Sequence, residues 1–272
     1  GTSAATWQYN LMNDTWNPRE AKPTPVDLAG AALIGETIYV PGGRNADGKP
    51  TAQLEIYLPR SDEWQTRAPL PEALYAYGLA AYEGQLYLFG GWDGNRYYDS
   101  VYIYDPETDT WKTGQKMAQP RAHLAAVTAS GKILVMGGTN ETDILDNNSA
   151  YYPQRDQNGE PAWEERSPLP EARHAFGAAF LVDGIYVIGG LGKGETEPAS
   201  VIYNVAEDNW SGMEQRKTDP QLPANGAFLA AVPWQTTIHI FGGAFSLTAS
   251  DQHVSYQAMY TVSLPVLQNG GE

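Results

Sequence analysis

The stretch Leu86-Tyr-Leu-Phe-Gly-Gly91, followed after a short loop by Val101-Tyr-Ile-Tyr-Asp-Pro-Glu-Thr-Asp-Thr-Trp111, decides the fold. It reads as an apolar strand closed by a glycine pair, an exposed loop, a second strand, a tight polar turn and a tryptophan. The unit recurs along the chain. Glycine pairs close apolar runs at Gly42-Gly43, Gly90-Gly91, Gly137-Gly138, Gly189-Gly190 and Gly242-Gly243, in steps of 48, 47, 52 and 53 residues. A tyrosine follows each pair (Tyr57, Tyr104, Tyr152, Tyr203, Tyr260), and Trp64, Trp111, Trp163 and Trp210 follow the first four. Tyrosine and tryptophan stand seven apart in three units; the third carries four additional residues around Gln157–Glu160.

Each part of the unit has a mechanical reason. Ile38-Tyr-Val40, Ile133-Leu-Val135 and Tyr186-Val-Ile188 are short β-branched, aromatic or aliphatic runs, which read as strands. Ala122-His-Leu-Ala-Ala-Val127 and Ala227-Phe-Leu-Ala-Ala-Val232 precede two such runs, and their small residues suit inner strands packed where blades converge. Glu83-Gly84, Ser130-Gly131 and Asp183-Gly184 read as hairpin turns. Prolines in Pro69-Leu-Pro71, Pro168-Leu-Pro170 and Leu222-Pro223 stop one module before the next begins.

This pattern resembles the kelch repeat over essentially the whole chain. The resemblance implies an all-β fold, a β-propeller of four-stranded antiparallel blades. Five glycine pairs in register weigh against a β-sandwich with chance glycines. The modules run 26–70, 74–118, 121–168, 172–218 and 224–264. Residues 5–20 align with the outer half of a blade, placing Tyr9 on Tyr104 and Trp16 on Trp111. The expectation is five blades, closed by terminal strands, with the strand around Trp16 serving the last blade and that around Tyr9 left over. A six-bladed ring is the alternative. Trp7, Tyr9, Trp16 and Tyr260 are the candidate ring-closing or intersubunit residues.

Composition narrows the partners. The 272-residue chain carries 32 acidic and 17 basic side chains, a net charge of −15, which argues against nucleic acid and anionic membrane. It has no cysteine, so disulfides, thiol nucleophiles and thiolate metal sites are excluded. No long apolar span suggests membrane insertion. The small polar start, Gly1-Thr-Ser-Ala-Ala-Thr6, reads as a processed mature terminus or an expression remnant. An acidic, cysteine-free, aromatic-rich chain is expected to be extracellular, periplasmic or on a bacterial cell surface.

The resemblance implies that the loops after the glycine pairs and those before the inner strands share a ligand-binding face. The first kind carries Arg44, Trp92, Asp93, Asn95, Arg96 and Tyr97. The second carries Tyr75, Tyr77, Arg121, His123, Arg173, His174 and Asn225. Arg121 and Arg173 occupy equivalent positions; two converging guanidinium groups hold a carboxylate bidentately, whereas the structural alternative pairs each with Glu72, Glu171 or a backbone carbonyl. Trp92 and Tyr97 suit sugar stacking or a protein hot spot, or else cover a blade edge. Asn140–Asn148 is oxygen-rich but lacks the spacing of a known calcium loop. No metalloprotease, nucleophile-elbow or phosphate-loop motif is present.

The reading is therefore a non-catalytic binding or scaffold propeller, needing no cofactor or metal, whose partner is a protein or a glycan. One alternative is a structural subunit forming a homo-oligomer or filament by terminal strand donation. Another is an enzyme similar to the sialic acid mutarotases, resting on the Arg121–Arg173 pair.

Overall fold

The computed structural model describes residues 2–194, 198–213, 226–245, 248–249 and 253–257. The chain is an all-β propeller. Its first strands, β1 (Thr6–Asn10) and β2 (Thr15–Arg19), form a two-stranded antiparallel hairpin. Blade one follows as β3 (Ala32–Ile34), β4 (Thr37–Pro41), β5 (Leu54–Leu58) and β6 (Glu63–Arg67). Blade two is β7 (Gly78–Tyr82), β8 (Gln85–Phe89), β9 (Val101–Asp105) and β10 (Thr110–Gly114). Blade three has β11 (Ala125–Ala129), β12 (Lys132–Met136), β13 (Asn148–Tyr151), a short helix α1 (Pro153–Gln157) and β14 (Trp163–Glu165). Blade four has β15 (Gly177–Leu181), β16 (Gly184–Ile188), β17 (Val201–Asn204) and β18 (Asn209–Gly212).

In the fifth blade, β19 (Gly226–Ala227) precedes the inner pair β20 (Ala230–Trp234) and β21 (Thr237–Phe241). The short strands β22 (Ala244–Phe245) and β23 (Thr248–Ala249) pair beside β19, and β24 (His253–Gln257) pairs with β21. Five inner strand pairs thus match the five glycine pairs.

Side chains from adjacent blades fill the spaces between sheets. Ile133, Val135 and Tyr151 of blade three pack with Tyr87, Phe89 and Ile103 of blade two. Leu134 and Met136 face Ile185, Val187 and Tyr203 of blade four. Alternation along each strand lets one sheet serve both neighbours.

The outer turns clamp neighbouring blades together. In blade two the Tyr104 hydroxyl donates to Asp109 Oδ1 at 2.6 Å, and the same oxygen accepts the Ala68 backbone N–H at 2.8 Å. Trp111 Nε1 donates to the Ala68 carbonyl at 2.9 Å. Both backbone groups of one residue leaving blade one are therefore held by blade two. The same clamp joins Asp62 and Trp64 to Glu20, Asp156 and Trp163 to Gln115, and Asp208 and Trp210 to Ser167. Asp62, Asp109 and Asp208 sit at φ of 57°, 51° and 53°, a left-handed conformation that short polar side chains tolerate.

Strand register corrects two sequence assignments. Tyr151, not Tyr152, pairs with Trp163, and its hydroxyl donates to Asp156. The insertion is then five residues and folds as α1, which retains the tyrosine-to-aspartate spacing while displacing the tryptophan. In blade five Tyr256 lies opposite Ile238, as Tyr104 lies opposite Leu86. Tyr260 lies outside the described residues. The hairpin after β15 also shifts by one: Val182 and Asp183 make the turn, and Gly184 opens β16.

The N-terminal hairpin differs from expectation as well. β2 pairs with β1, and among the described residues neither pairs with β24. Tyr9 meets Phe241 at 5.7 Å, just as Tyr104 of blade two meets Tyr39 of blade one at 6.0 Å. The hairpin thus stands as a half-blade between blade five and blade one.

Two stability outcomes follow from this geometry. Asp109→Ala should lower unfolding free energy by about 1–2 kcal/mol in urea at pH 7. The Tyr104 hydroxyl and Ala68 N–H hold this carboxyl below its ordinary value. The difference should therefore be full above pH ~4 and fade as pH falls through the lowered folded-state value. Val182, exposed at φ 64°, is a β-branched residue in left-handed backbone; Val182→Asn should stabilise the chain by about 1 kcal/mol in the same assay.

Candidate functional site: the mouth of the propeller

One residue of each blade approaches the ring axis in left-handed backbone: Leu28, Ala76, His123, Ala175 and Phe228, with φ from 52° to 58°. Their main chains form a belt. Ala76 N–H donates to the Leu28 carbonyl at 2.8 Å, His123 N–H to Ala76 at 2.6 Å, Ala175 N–H to His123 at 2.9 Å and Phe228 N–H to Ala175 at 2.7 Å. Each stands two positions before a small residue that opens its inner strand (Gly78, Ala125, Gly177, Ala230) or, in blade one, lies two residues ahead of it (Gly30). That offset is visible in the sequence. The positive φ is not, because none of the five is glycine.

The belt frames a central cavity of about 690 Å³, a size usual for small-ligand pockets. Leu124, Phe176 and Leu229 give it apolar walls, and Phe228 projects at 47% exposure. Its charged edge is an ion pair in which Arg44 Nε and Nη2 each donate to Asp27 carboxylate oxygens at 2.9 Å. These bonds hold the Asp27 carboxyl below its ordinary value and the Arg44 guanidinium above. His123 contacts the rings of His174 at 5.8 Å and Phe228 at 5.7 Å. Burial, with the neighbouring His174 and Arg44, pushes its imidazole down to about 4, so it is neutral at pH 7. Burial lowers His174 too.

The aromatic loop of blade two flanks this mouth. Trp92 and Tyr97 pack at 4.3 Å between centroids, Tyr75 bridges to Trp92, and Arg44 lies 5.8 Å from the Tyr75 ring. Asp93 Oδ1 accepts the N–H groups of Asn95 and Arg96, both at 2.7 Å, which fixes the loop tip. Arg96 stacks on Tyr98 at 4.5 Å and donates to its hydroxyl. These side chains are therefore preset by their own loop.

Other expected site residues have structural duties. Arg121 and Arg173 are 2% and 0% exposed, and their Nη1 atoms donate to the carbonyls of Gly137 and Gly189, each at 3.2 Å. They pin the glycine pairs from within and do not converge on an open carboxylate site. The reason is spacing: in each blade the arginine precedes the inner pair and faces the glycine corner 16 residues later. Tyr77 is buried, donating to the Pro41 carbonyl and accepting from Gly30 N–H. Asn225 lies outside the described residues. In the oxygen-rich loop, Asn140 Oδ1 is taken by Thr142 and Asp143 N–H groups and Asp143 pairs with Lys193. Sequence reading did not single out Asp27 or Phe228.

His123 generates a pH dependence of known sign. Its folded-state value lies below that of the unfolded chain, near 6.5. Its neutral form is fully compatible with folding above that value, and stability is lost as pH falls from 6.5 towards 4. His123→Leu should flatten this loss by about 1–2 kcal/mol in urea melts at pH 7 and pH 4.5.

Comparison with known proteins places the chain in a family. The family model described as the KLHDC2/KLHL20/DRC7 Kelch-repeats domain matches residues 2–190. Kelch-like protein 40 of Mus musculus is 25% identical over 90% of this chain and 31% of its own length. Beta-scruin of Limulus polyphemus is 32% identical over 33% of this chain and 10% of its own length. The chain thus spans a third or less of these relatives. The solved structure of YjhT superposes with a TM-score of 0.76 over 93% of this chain and 87% of that chain at 17% identity, showing a common fold. With its five glycine-pair units and its family match, the chain belongs to the kelch-repeat family.

Proposed function

We propose that this chain is a non-catalytic binding propeller whose mouth receives a segment of a protein partner. The observation that carries the reading is the exposed Phe228 ring over the cavity of about 690 Å³, beside the Arg44–Asp27 pair. An apolar anchor bordered by oriented polar groups is the usual composition of a protein hot spot. Membership of a family rich in such scaffolds supports it. The mutarotase-like alternative draws no support from Arg121 and Arg173, whose buried Nη1 atoms donate to backbone carbonyls.

Panning a random dodecapeptide phage library against the full chain tests the reading. Calorimetric titration of the selected peptides should show affinity reduced about tenfold or more by Phe228→Ala and by Arg44→Ala. Trp92→Ala should weaken binding less, and the remote Trp7→Ala should leave it unchanged. Failure to enrich any sequence, or equal binding to wild type and both mouth variants, would rule the proposal out.

A further inference from the structure

Blade three departs from its neighbours at one buried position. Strand register aligns Ser149 with Tyr102 of blade two and Val201 of blade four. Each lies two residues before the clamp tyrosine and pairs with an outer-strand residue two beyond the tryptophan: Glu165, Thr113 and Gly212. Arg121 and Leu74 likewise each lie two residues before their belt positions, His123 and Ala76. In blade two Leu74, Tyr102 and Trp111 fill this place as one apolar cluster, and in blade four Val201 and Trp210 belong to another. In blade one the place is polar but satisfied, since buried Glu55 accepts from the Lys22 ammonium and the Thr24 hydroxyl. Blade three has a serine where blade two has a phenol ring, and a cavity of about 200 Å³ opens there.

The cavity is polar and its hydrogen bonding is incomplete. Arg121 spends Nη1 on the Gly137 carbonyl, while its buried Nε has no partner. A guanidinium N–H taken out of water without an acceptor is costly. Glu165, which also lines the cavity, accepts the Ser149 hydroxyl at 3.2 Å to each carboxylate oxygen. Gln119 Nε2 donates to Asn147 Oδ1 at 2.7 Å, which leaves the Gln119 carbonyl and the Asn147 amide N–H groups for a guest. Met117 and Trp163 supply the apolar wall. The charges balance: Glu165 offsets Arg121, and Lys116 at the rim is paired with Asp99 at 3.1 Å.

We propose that this cavity is a second binding site, separate from the mouth, which takes a neutral monosaccharide. Balanced charge disfavours an ion of either sign, whereas spare donors beside spare acceptors suit hydroxyl groups, each of which does both. The Trp163 indole offers a flat apolar surface for the C–H face of a pyranose ring. The volume lies below the range of drug-sized pockets, at room for about six waters of roughly 30 Å³ each, so the guest is a single small ring.

Saturation-transfer NMR on the full chain tests the site. The probes are D-glucose, D-galactose, D-mannose and N-acetyl-D-glucosamine, with glycine and acetate as zwitterionic and anionic comparators. At least one sugar should receive saturation, and both comparators should receive none. Ser149→Tyr, which fills the space as Tyr102 does in blade two, and Glu165→Gln should each weaken that sugar's affinity about tenfold or more. Glu165 is exposed, so its variant keeps the test valid if Ser149→Tyr does not fold. Saturation of no sugar, preference for glycine or acetate, or unaltered affinity in Glu165→Gln would overturn the proposal. So would a sugar signal lost with Phe228→Ala, since the mouth would then be its site.

Discussion

The structure depends on the capture of one residue's N–H and C=O by the next blade. The outer strands of the N-terminal hairpin and of blades one to three are each followed by a residue whose two backbone groups would otherwise face solvent at a sheet corner. An aspartate takes the N–H, a tryptophan indole gives to the C=O, and a tyrosine hydroxyl fixes the aspartate. Three side chains from one turn thus set both the distance and the angle to the neighbouring sheet. No lateral pairing of strands could do this, since blades meet face to face. Repetition of the clamp makes the ring additive, with each blade secured chiefly by its neighbours.

The clamp works at the rim and the belt works at the axis. Belt bonds run between main chains, so they constrain the backbone of Leu28, Ala76, His123, Ala175 and Phe228 without prescribing side chains. The left-handed conformation costs each of these non-glycine residues on the order of 1 kcal/mol, a strain that the belt and the adjoining sheets hold in place. The mouth can therefore carry an imidazole, a phenyl ring or a methyl at equivalent places on one scaffold. Chemistry at the mouth is decoupled from the packing that supports it.

This division explains what was legible in the amino-acid sequence. Glycine pairs are readable because the backbone of a neighbouring blade lies where a side chain would go: a Cβ on Gly90 would fall 2.3 Å from the Arg121 carbonyl oxygen. Tyrosine and tryptophan are readable because the clamp fixes their spacing. Where that spacing was broken by α1, or where no tryptophan followed, the neighbouring Tyr152 and Tyr260 stood in for Tyr151 and Tyr256. The two arginines were ambiguous for another reason. A guanidinium that caps a carbonyl and one that awaits a carboxylate occupy the same loop position, and only burial distinguishes them.

Half-blade geometry gives the ring an uneven closure. At the rim, Glu20 is clamped by Asp62 and Trp64, while Tyr9 and Trp16 reach Phe241, each at 5.7 Å, and Tyr9 meets His253 at 4.6 Å. The hairpin therefore ties blade one to blade five, by the rim clamp on the blade-one side and by aromatic contacts on the blade-five side. Nearer the axis the corresponding contacts are absent among the described residues, and Leu33 and Val232 stay in water at 60% and 47% exposure. Among the described residues, the two blades bordering the half-blade each lack one inner interface. They are the places where added burial would increase the stability of the ring most, because every other inner wall is already covered.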